Sequence, residues 1–295
     1  MSAGLPDTVR FIERDWLSSN QVFLVDGAEA TIVDTGYVKH APMTAAIVGR
    51  LLEQTGTRLA RIVNTHLHSD HCGGNRLLAE RFGGRTLVPQ ASLADVARWD
   101  KQALTFAATG QRCDRFEAHG GIAPGDELVM GGLSWRAHAA PGHDPKSLVF
   151  HCPDARLLIS ADALWEQGFG VIFPEIEGES GYDEQQAILE LIATLEVDLV
   201  LPGHGPAFTN VAAALEIAFS RLRALREDPT RAADVMELLS FNEGNNSGRG
   251  IGCISWDGKV HPDQFWRHHV FGNVRERPFS EIWDDPNIEL LAKLK

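Results

Sequence analysis

One loop of the sequence carries metal-binding side chains at a density that ordinary packing does not require: Thr65-His66-Leu67-His68-Ser69-Asp70-His71-Cys72-Gly73-Gly74. The loop follows a short β-like run, 61–64, and precedes a run with helical spacing that starts at Asn75. Such a turn can present His66 and His68 to one point, while Asp70 and His71 reach a second point nearby. Imidazole and carboxylate ligands together suit zinc, and also iron or manganese. The loop therefore predicts a metal site.

Three further candidate ligands stand in loops that follow predicted strands. They are His143 in Pro141-Gly-His-Asp144, Asp162 in Ser160-Ala-Asp-Ala163 and His204 in Pro202-Gly-His-Gly205. A histidine after Pro-Gly is by itself a common turn residue, so none of the three identifies a site alone. Added to the 66–71 loop, they allow two groups of three ligands with Asp162 left to bridge them. The groups are His66, His68 and His143, and Asp70, His71 and His204.

The segments around this loop alternate between strands and helices. Residues 21–25 and 30–34 are β-rich runs separated by Asp26-Gly27, a dipeptide typical of a hairpin turn. Residues 42–55 carry apolar side chains at helical spacing, and Gly56 follows them. The predicted order in this part of the chain is ββαβαβ, with the later elements at 61–64, 75–82 and 85–89.

A second group of strands follows a stretch, 110–132, that has no strong periodicity. The β-like runs of this second group are 133–139, 147–152 and 156–160. Helices are predicted over 184–195 and 210–226, on either side of a short strand at 198–201. Strands in the middle of the chain with helices before and after them predict two sheets packed face to face and covered by helices. The expected fold class is a four-layer α/β sandwich.

The composition limits the class of protein. The chain has 295 residues, of which 44% are hydrophobic and 23% charged, so it has ordinary globular usage and room for one large domain with an appendage. Its 27 basic and 40 acidic side chains give a net charge of −13, which repels phosphate backbones and anionic lipids. We therefore expect a small-molecule substrate and no nucleic-acid or membrane partner.

The start of the chain and its cysteines indicate the compartment. Arg10, Glu13, Arg14 and Asp15 interrupt the apolar stretch that a secretory leader needs, and no run of about 18 apolar residues occurs. The four cysteines are scattered without CxxC spacing. These features predict a cytoplasmic, reducing setting. Cys72 is interpreted as a small buried residue without a chemical role.

In their order along the chain, these motifs resemble the metallo-β-lactamase superfamily of metal-dependent hydrolases: HxHxDH at 66–71, a PGH histidine, an aspartate at a strand end and a PGHG histidine. The resemblance covers residues 8–228 and implies an αββα sandwich with the metals at one edge between the sheets. It assigns His66, His68 and His143 to a first metal, Asp70, His71 and His204 to a second, and Asp162 to both. It also implies that Asp34 braces the ligand loop by hydrogen bonds.

The resemblance implies a hydrolase with two divalent metal ions, zinc in the first place, with iron or manganese as alternatives. Water shared between two such cations loses its proton near neutral pH, so a metal-bridging hydroxide becomes the nucleophile. Asp70 is expected to orient this nucleophile and to carry a proton to the leaving group. The expected substrate is a small ester, thioester or lactone, as in glyoxalase II and the lactonases. Four aromatic residues are candidate walls of the substrate pocket: Trp165, Phe169, Phe173 and Tyr182.

Three alternative functions remain open on the sequence. The first is a β-lactamase-like amide hydrolase, against which the carboxylate of Asp162 argues, because typical β-lactamases of the superfamily have a cysteine at this position or lack the bridge. The second is a mononuclear iron persulfide dioxygenase of the same superfamily. The third is a non-catalytic accessory protein of haem d1 or other tetrapyrrole biosynthesis. Complete ligand sets argue against this last alternative.

The last part of the chain has a different character, and we place a boundary between a hydrolase domain, 1–228, and an appendage, 229–295. Residues 232–291 resemble the SPASM-like C-terminal auxiliary region of radical SAM enzymes of haem d1 and alternative haem biosynthesis. Those enzymes bind iron–sulfur clusters through several cysteines, whereas this segment contains only Cys253, and no CxxxCxxC occurs in the chain. We therefore expect no iron–sulfur cluster. The appendage is then either a fusion remnant or a link to tetrapyrrole metabolism.

Overall fold

The computed structural model of the chain describes residues 4–14, 18–172, 181–227, 252–255, 257–262 and 269–294. The chain divides into two units, Met1–Arg223 and Ala224–Lys295, and each is described by itself. The expected boundary at 228/229 lies outside the described residues and stays a prediction.

Two sheets form the first unit. The first has six strands in chain order. The first two pairs of neighbouring strands are antiparallel, and the remaining three pairs are parallel. They are β1 (Val9–Ile12), β2 (Gln21–Asp26), β3 (Glu29–Val33), β4 (Arg58–Val63), β5 (Arg85–Pro89) and β6 (Gly120–Ile122). The hairpin turn between β2 and β3 is Gly27-Ala28, one residue later than the expected dipeptide, and Gly27 has a φ of 58°.

The second sheet has five strands in the order β11-β10-β9-β8-β7. They are β7 (Glu127–Met130), β8 (Leu133–Ala139), β9 (Leu148–Cys152), β10 (Leu157–Ala161) and β11 (Leu199–Pro202). The strands pair antiparallel except β10 and β11, which are parallel. A parallel pair needs a crossover connection, and the helix at 182–194 provides it.

Short helices and longer amphipathic helices connect the strands. They are α1 (Ala41–Thr55), α2 (Ser69–Cys72), α3 (Asn75–Phe82), α4 (Leu93–Arg98), α5 (Phe106–Thr109), α6 (Tyr182–Thr194) and α7 (Val211–Glu227). Helix α1 has a proline in its first turn and ends at Gly56, which takes a left-handed conformation with a φ of 65°. Two 3₁₀ turns, Val38–His40 and Gln90–Ser92, precede α1 and α4.

Side-chain alternation along the strands separates two buried layers. Val22 and Leu24 of β2 face the core between the sheets, together with Trp135 of β8 and Phe150 of β9. Phe23, between the two β2 residues, packs on the other side of the first sheet with Val48, Leu52 and Leu78 of α1 and α3. Successive side chains of β2 therefore point to opposite faces of the sheet, and both faces are buried. On the outer face of the second sheet, Leu158 and Val200 are also fully buried.

This architecture confirms the expected four-layer αββα sandwich with a small C-terminal region. The described residues of the second unit include a three-stranded antiparallel sheet and two short helices, namely β12 (Cys253–Ile254), β13 (Lys259–His261), β14 (Gly272–Asn273), α8 (Phe279–Trp283) and α9 (Glu289–Leu294). Val260 and Ile282 are fully buried there, and the rings of Phe279 and Trp283 stack 5.2 Å apart. Among the described residues, we find no helix with the length and apolarity needed to span a bilayer.

Candidate metal centre

The predicted ligands and Asp34 follow the ends of strands, in loops or, for Asp70 and His71, in the short helix α2. Asp34 follows β3, the 66–71 loop follows β4, Asp162 follows β10 and His204 follows β11. Backbone hydrogen bonds hold these loops together across the two sheets. Leu148 N donates to Thr65 O at 2.8 Å, so β9 is joined to the loop after β4. The edge where the strands end therefore collects side chains that are distant in sequence.

Seven histidine and aspartate side chains converge at this edge. The candidate ligand atoms form three overlapping groups, and within each group the atoms lie within 4.8 Å of one another. The groups are His66, His68 and His143; His66, His71 and Asp162; and Asp70, His71 and His204. All seven residues named as ligands by sequence reasoning are thus brought to one place.

Asp162 stands between the two histidine groups. Its Oδ1 is 3.4 Å from Nε2 of His71, and its Oδ2 is 3.3 Å from Nε2 of His143 and 3.7 Å from Nε2 of His204. The side chain is only 5% exposed. One buried carboxylate therefore faces imidazole nitrogens from both sides of the cluster.

Hydrogen bonds to the other ring nitrogens fix the direction of three histidines. His71 Nδ1 lies 2.8 Å from Oδ2 of Asp34, and His143 Nδ1 lies 2.5 Å from the carbonyl oxygen of Val171. His66 Nδ1 lies 3.1 Å from Oγ1 of Thr65, whose hydroxyl donates to Asp34. When Nδ1 carries the proton and donates it, Nε2 is left with its lone pair towards the cluster.

Asp34 is the centre of this network. Its Oδ1 accepts a hydrogen bond from Thr65 N at 2.9 Å, and its Oδ2 accepts one from Thr65 Oγ1 at 2.7 Å. The backbone of Asp34 has a φ of 58°, which is uncommon for residues other than glycine but is tolerated by aspartate. This backbone conformation directs the carboxylate back onto the ligand loop.

The donor set has the features of a cation site. Nε2 of His66 is buried without a hydrogen-bond partner among the described residues, and Nε2 of His71 makes no hydrogen bond there either, although carboxylates lie nearby. Buried polar atoms normally have partners, so such orphans call for an unseen one. Imidazole and carboxylate donors are the ligands that zinc takes in proteins. The residues present therefore fit divalent metal ions.

Burial and neighbouring charges shift the pKa values of the site. Burial lowers the pKa of His68 and of His143 to about 4, and it holds the pKa of His66 well below the ordinary value. Neutral imidazoles are the form that binds metals. Burial alone would also lower the pKa of His71, but the negative charges of Asp162 and Asp34 outweigh it and raise that pKa well above the ordinary value.

The two site carboxylates are held in the ionised form. Burial would raise the pKa of Asp70, yet the hydrogen bond from His204 and the positive charge of His71 outweigh it and bring the pKa to about 2. The pKa of Asp162 lies well below its ordinary range because His71 and His204 outweigh burial in the same way. Both carboxylates are negative at neutral pH.

Two glycines allow the backbone to approach the cluster closely. A Cβ atom on Gly170 would lie 2.6 Å from Nδ1 of His143 and 2.8 Å from Cβ of Asp162. A Cβ atom on Gly203 would overlap Oδ1 of Asp162 and would lie 3.0 Å from the carbonyl of Ala161. Gly203, the first glycine of the PGHG motif, is therefore required because Asp162 occupies the space that a side chain would need.

Two residues at the site were missed by sequence reasoning. Asn20 donates from Nδ2 to the carbonyl oxygens of Pro202 at 3.0 Å and Gly205 at 2.8 Å, which ties the loop of His204 to the N-terminal segment. Asp144 is 8% exposed and places Oδ2 3.7 Å from Nε2 of His68. The position of Asp144 beside His143 was the one available signal, and Asn20 had none.

The candidate pocket residues occupy different environments. Trp165 lies against the cluster: its indole N–H donates to Oδ1 of Asp162 at 3.2 Å, and its ring centroid is 5.3 Å from that of His204. Phe169 is fully buried beneath the guanidinium of Arg221. Tyr182 is partly buried at the start of α6. Phe173 lies outside the described residues.

A family model described as the metallo-beta-lactamase superfamily matches residues 14–204, about two thirds of the chain. The chain belongs to this superfamily. The hydroxyacylglutathione hydrolase of Cereibacter sphaeroides is 30% identical over 205 residues, which are 68% of this chain and 69% of that protein. A beta-lactamase domain protein from Burkholderia ambifaria has the same fold, with a TM-score of 0.62 and 20% identity over 88% of this chain and 95% of that one. The chain is a metallohydrolase of the metallo-β-lactamase fold.

A second family model, SPASM, described as an iron-sulfur cluster-binding domain, matches residues 247–294. The Fe-coproporphyrin III synthase of Methanosarcina barkeri is 69% identical over 74 residues, which are 25% of this chain. The chain spans only 18% of that protein's length. The expected auxiliary-type C-terminal region is thus confirmed.

The same matches overturn one expectation from the sequence. We expected no iron–sulfur cluster because residues 232–291 contain a single cysteine, Cys253, and that expectation is wrong: the match to a cluster-binding domain points to an iron–sulfur cluster. The thiolate count was an insufficient criterion. Imidazole can replace thiolate in some clusters, and ligands can come from other segments or chains, so one cysteine does not exclude a cluster.

Proposed function

We propose that the chain is a thioesterase that cleaves a small thioester at a dinuclear metal centre. His66, His68 and His143 would hold one ion, Asp70, His71 and His204 the second, and Asp162 would bridge them. The observation that carries this proposal is the position of Asp162, whose two oxygens face His71 on one side and His143 on the other at 3.4 and 3.3 Å. Zinc fits the imidazole-rich donor set.

Two divalent ions in this site would supply Lewis acidity, which activates water and polarises the substrate carbonyl. The protein's own groups position the reaction. The network from Asp34 through Thr65 to His66 and His71 keeps the ring nitrogens directed at one place. Because these side chains are buried, they need no rearrangement when substrate arrives.

Asp70 is the candidate proton carrier. Its Oδ2 is 3.2 Å from Nε2 of His204, and its side chain is 15% exposed, against 5% for Asp162. It is therefore the site carboxylate that water and substrate reach more easily. With a pKa of about 2 it is ionised at neutral pH and can accept a proton before passing it to the leaving thiolate.

The thioester class is supported by the hydrolase relatives. The protein of Cereibacter sphaeroides, 30% identical, is named for hydrolysis of hydroxyacylglutathione. A carboxylate at the bridging position also agrees with this branch of the superfamily. Esters and lactones are the neighbouring substrate classes, since they present the same carbonyl with an oxygen leaving group.

Metal analysis and a substrate panel test this proposal. The purified full-length chain is analysed for bound metals and assayed with S-lactoylglutathione, a phenyl ester, an acyl-homoserine lactone and a cephalosporin. We expect two metal equivalents per chain and the highest kcat/KM for the thioester. Asp162→Ala should lose at least one equivalent and most activity, whereas Asp198→Ala, an exposed carboxylate paired with Arg156, should change neither.

Other results would favour the alternative functions. A single iron with oxygen consumption on glutathione persulfide would identify a persulfide dioxygenase. Preferred cleavage of the cephalosporin would identify a β-lactamase. Tight binding of a tetrapyrrole with no turnover of any substrate would indicate an accessory protein. Each of these results would contradict the thioesterase proposal.

For the C-terminal region, we propose that it binds an iron–sulfur cluster and connects the hydrolase to tetrapyrrole metabolism. The support is the cluster-binding family match and the similarity to Fe-coproporphyrin III synthase. Anaerobic reconstitution with iron and sulfide should produce a charge-transfer band in the visible spectrum. Cys253→Ser should weaken that band, while Cys152→Ser should not. Absence of the band from the reconstituted wild-type chain would contradict the proposal.

A further inference from the structure

Two cysteines meet beside the metal-binding loop. Sγ of Cys72 lies 3.7 Å from Sγ of Cys113, although 41 residues separate them in the sequence. Cys72 is the last residue of α2 and follows His71 directly. It is fully buried, in an apolar cluster with Leu67 and Phe106, and Cys113 packs at the edge of that cluster with part of its surface exposed. One thiol is therefore enclosed and the other is accessible.

Three successive residues of the segment that carries Cys113 make contacts, two of them with helix α2 of the ligand loop. Gln111 accepts a hydrogen bond from Ser69 Oγ, the first residue of α2. The next residue, Arg112, donates its backbone N–H to the hydroxyl of Tyr37 at 3.4 Å. Cys113 then lies against Cys72. Gln111 and Cys113 thus contact the first and the last residue of the short helix that bears Asp70 and His71.

We propose that Cys72 and Cys113 form a reversible disulfide that fastens residues 111–113 to helix α2. The two sulfurs are in van der Waals contact, so an approach of about 1.7 Å brings them to bonding distance. Cys113 lies in a segment without helix or strand structure, between α5 and β6, which can make that movement more easily than buried α2. The pairing is specific because it uses two side chains that already touch.

Disulfide exchange with a small-molecule disulfide such as oxidised glutathione gives a balanced reaction. The thiolate of Cys113 attacks one sulfur of that molecule, its S–S bond breaks, and one glutathione leaves as the thiol. The sulfur of Cys72 then attacks Cys113 in the mixed disulfide, and the second glutathione leaves with the proton of Cys72. The protein loses two electrons and two protons, and one small disulfide becomes two thiols. The exposed residue acts first because the small molecule can reach it.

The disulfide would act on the metal-binding loop. Cys72 is joined to His71 by one peptide bond, and the backbone carbonyl of His71 accepts hydrogen bonds from Thr35 N at 2.8 Å and Thr35 Oγ1 at 3.2 Å. Whatever part of the approach helix α2 takes up therefore moves the peptide group between His71 and Cys72, against its hydrogen bonds with Thr35. The consequence for metal affinity rests on the proposed metal centre, whereas disulfide formation itself does not.

The first experiment measures the bond. The full chain is equilibrated with mixtures of oxidised and reduced glutathione, quenched in acid, alkylated, digested and analysed by mass spectrometry. We expect a crosslinked peptide pair joining Cys72 to Cys113, which increases with the fraction of oxidised glutathione and disappears with dithiothreitol. Only glutathione adducts, or no modification of either cysteine, would overturn the proposal.

Variants separate the roles of the two sulfurs. Cys72→Ala should trap glutathione on Cys113, and Cys113→Ser should leave Cys72 unmodified because it is buried. Cys152→Ser, which removes another buried cysteine, should keep the crosslink. Since Cys113 is partly exposed, its variant tests the idea even if the Cys72 variant folds poorly. Modification of Cys72 in the Cys113→Ser protein would contradict the order of attack.

The second experiment measures the consequence. Zinc affinity of the oxidised and reduced forms is compared in the wild-type chain and in Cys113→Ser. We expect about a tenfold weaker affinity in the oxidised wild-type protein, within the range seen when groups behind metal ligands are altered, and no change in the variant. A crosslink with unchanged zinc affinity would overturn the coupling to the loop, and no zinc binding in either form would instead contradict the proposed function.

Discussion

Asp34 and His71 form a buried pair in which Nδ1 of the imidazole lies 2.8 Å from Oδ2 of the carboxylate. The two residues are 37 positions apart in the sequence. Asp34 directly follows β3, and His71 lies in the segment that follows β4, the parallel neighbour of β3. The carboxylate keeps a proton on Nδ1 of His71, so when the ring is neutral, as metal binding requires, the lone pair is on Nε2. Other hydrogen bonds to Asp34 come from Thr65, so one carboxylate joins the start of the ligand loop to His71.

Replacing Asp34 should weaken metal binding without removing any ligand atom. We expect Asp34→Asn to lower metal affinity about 10–100-fold, because the tautomer and ring direction of His71 are no longer fixed. Competition with a chromogenic chelator measures the affinity. The exposed Asp198→Asn variant serves as the control, and equal affinities of the two variants would contradict the bracing role.

Asp70→Asn should nearly abolish turnover while leaving the fold intact. The amide keeps the size of the side chain but cannot accept the proton that we assign to Asp70. Circular dichroism checks the fold, metal analysis shows whether the second ion is retained, and thioester hydrolysis gives kcat. Wild-type kcat in a folded, fully loaded variant would remove the proton-carrier role.

Gly203→Ala should disrupt the position of Asp162. The added methyl group would overlap the carboxylate and press on the carbonyl of Ala161, so we expect reduced metal content and a lower melting temperature. Gly205→Ala in the same loop is the matched control. It meets no atom within 4 Å and carries only the strain of its φ of 77°, about 1 kcal/mol. A larger loss in the control would contradict this explanation.

Asn20 should be important for stability although it is not a ligand. Asn20→Ala removes two donors to the carbonyls of Pro202 and Gly205, which should lower the free energy of unfolding by about 1–3 kcal/mol. Asn20→Asp should cost more, because a carboxylate oxygen would face a carbonyl oxygen. Urea unfolding of both variants shows which one is less stable. An Asn20→Asp variant as stable as the wild type would contradict the stabilising role of Asn20.

The metal-free protein should lose stability as the pH falls from about 6.5 to 4. His68 and His143 have a pKa of about 4 in the folded chain, below the ordinary value, so the unfolded chain binds protons in this interval that the folded chain does not. Each residue can lower the free energy of unfolding by on the order of 3 kcal/mol across the interval. The raised pKa of His71 acts above pH 6.5 and does not offset this loss.

Urea unfolding of chelator-treated protein between pH 7 and 4.5 checks this dependence. His68→Gln should flatten the curve, because the amide does not titrate. Protein bearing metal should lose stability at least as steeply as the pH falls, since bound cations keep the folded imidazoles free of protons while the unfolded chain still takes them up. A stability that stays constant as the pH falls would contradict the assigned shifts.

Much of the secondary structure could be predicted from local pattern. The bounds of α3, β5 and β8 agree with those expected from periodicity and turn residues, and α1 begins one residue earlier than expected. The short strand β6 was missed because Gly120 and Gly121 give no β pattern. That strand exists through its pairing with β5, and a Cβ on Gly121 would meet Gln90 and Leu93. Such an element is defined by its neighbour rather than by its own residues.

The sequence by itself determined which residue types stand at the strand ends, because the HxHxDH, PGH and PGHG motifs are local and their chemistry depends on the side chains alone. It could not determine which distant groups support them. Asn20 reaches Pro202 across 182 positions, and Cys72 meets Cys113 across 41. These contacts depend on how the two sheets and their loops pack in space. Packing is a property of the whole folded chain, so only the tertiary structure decided them.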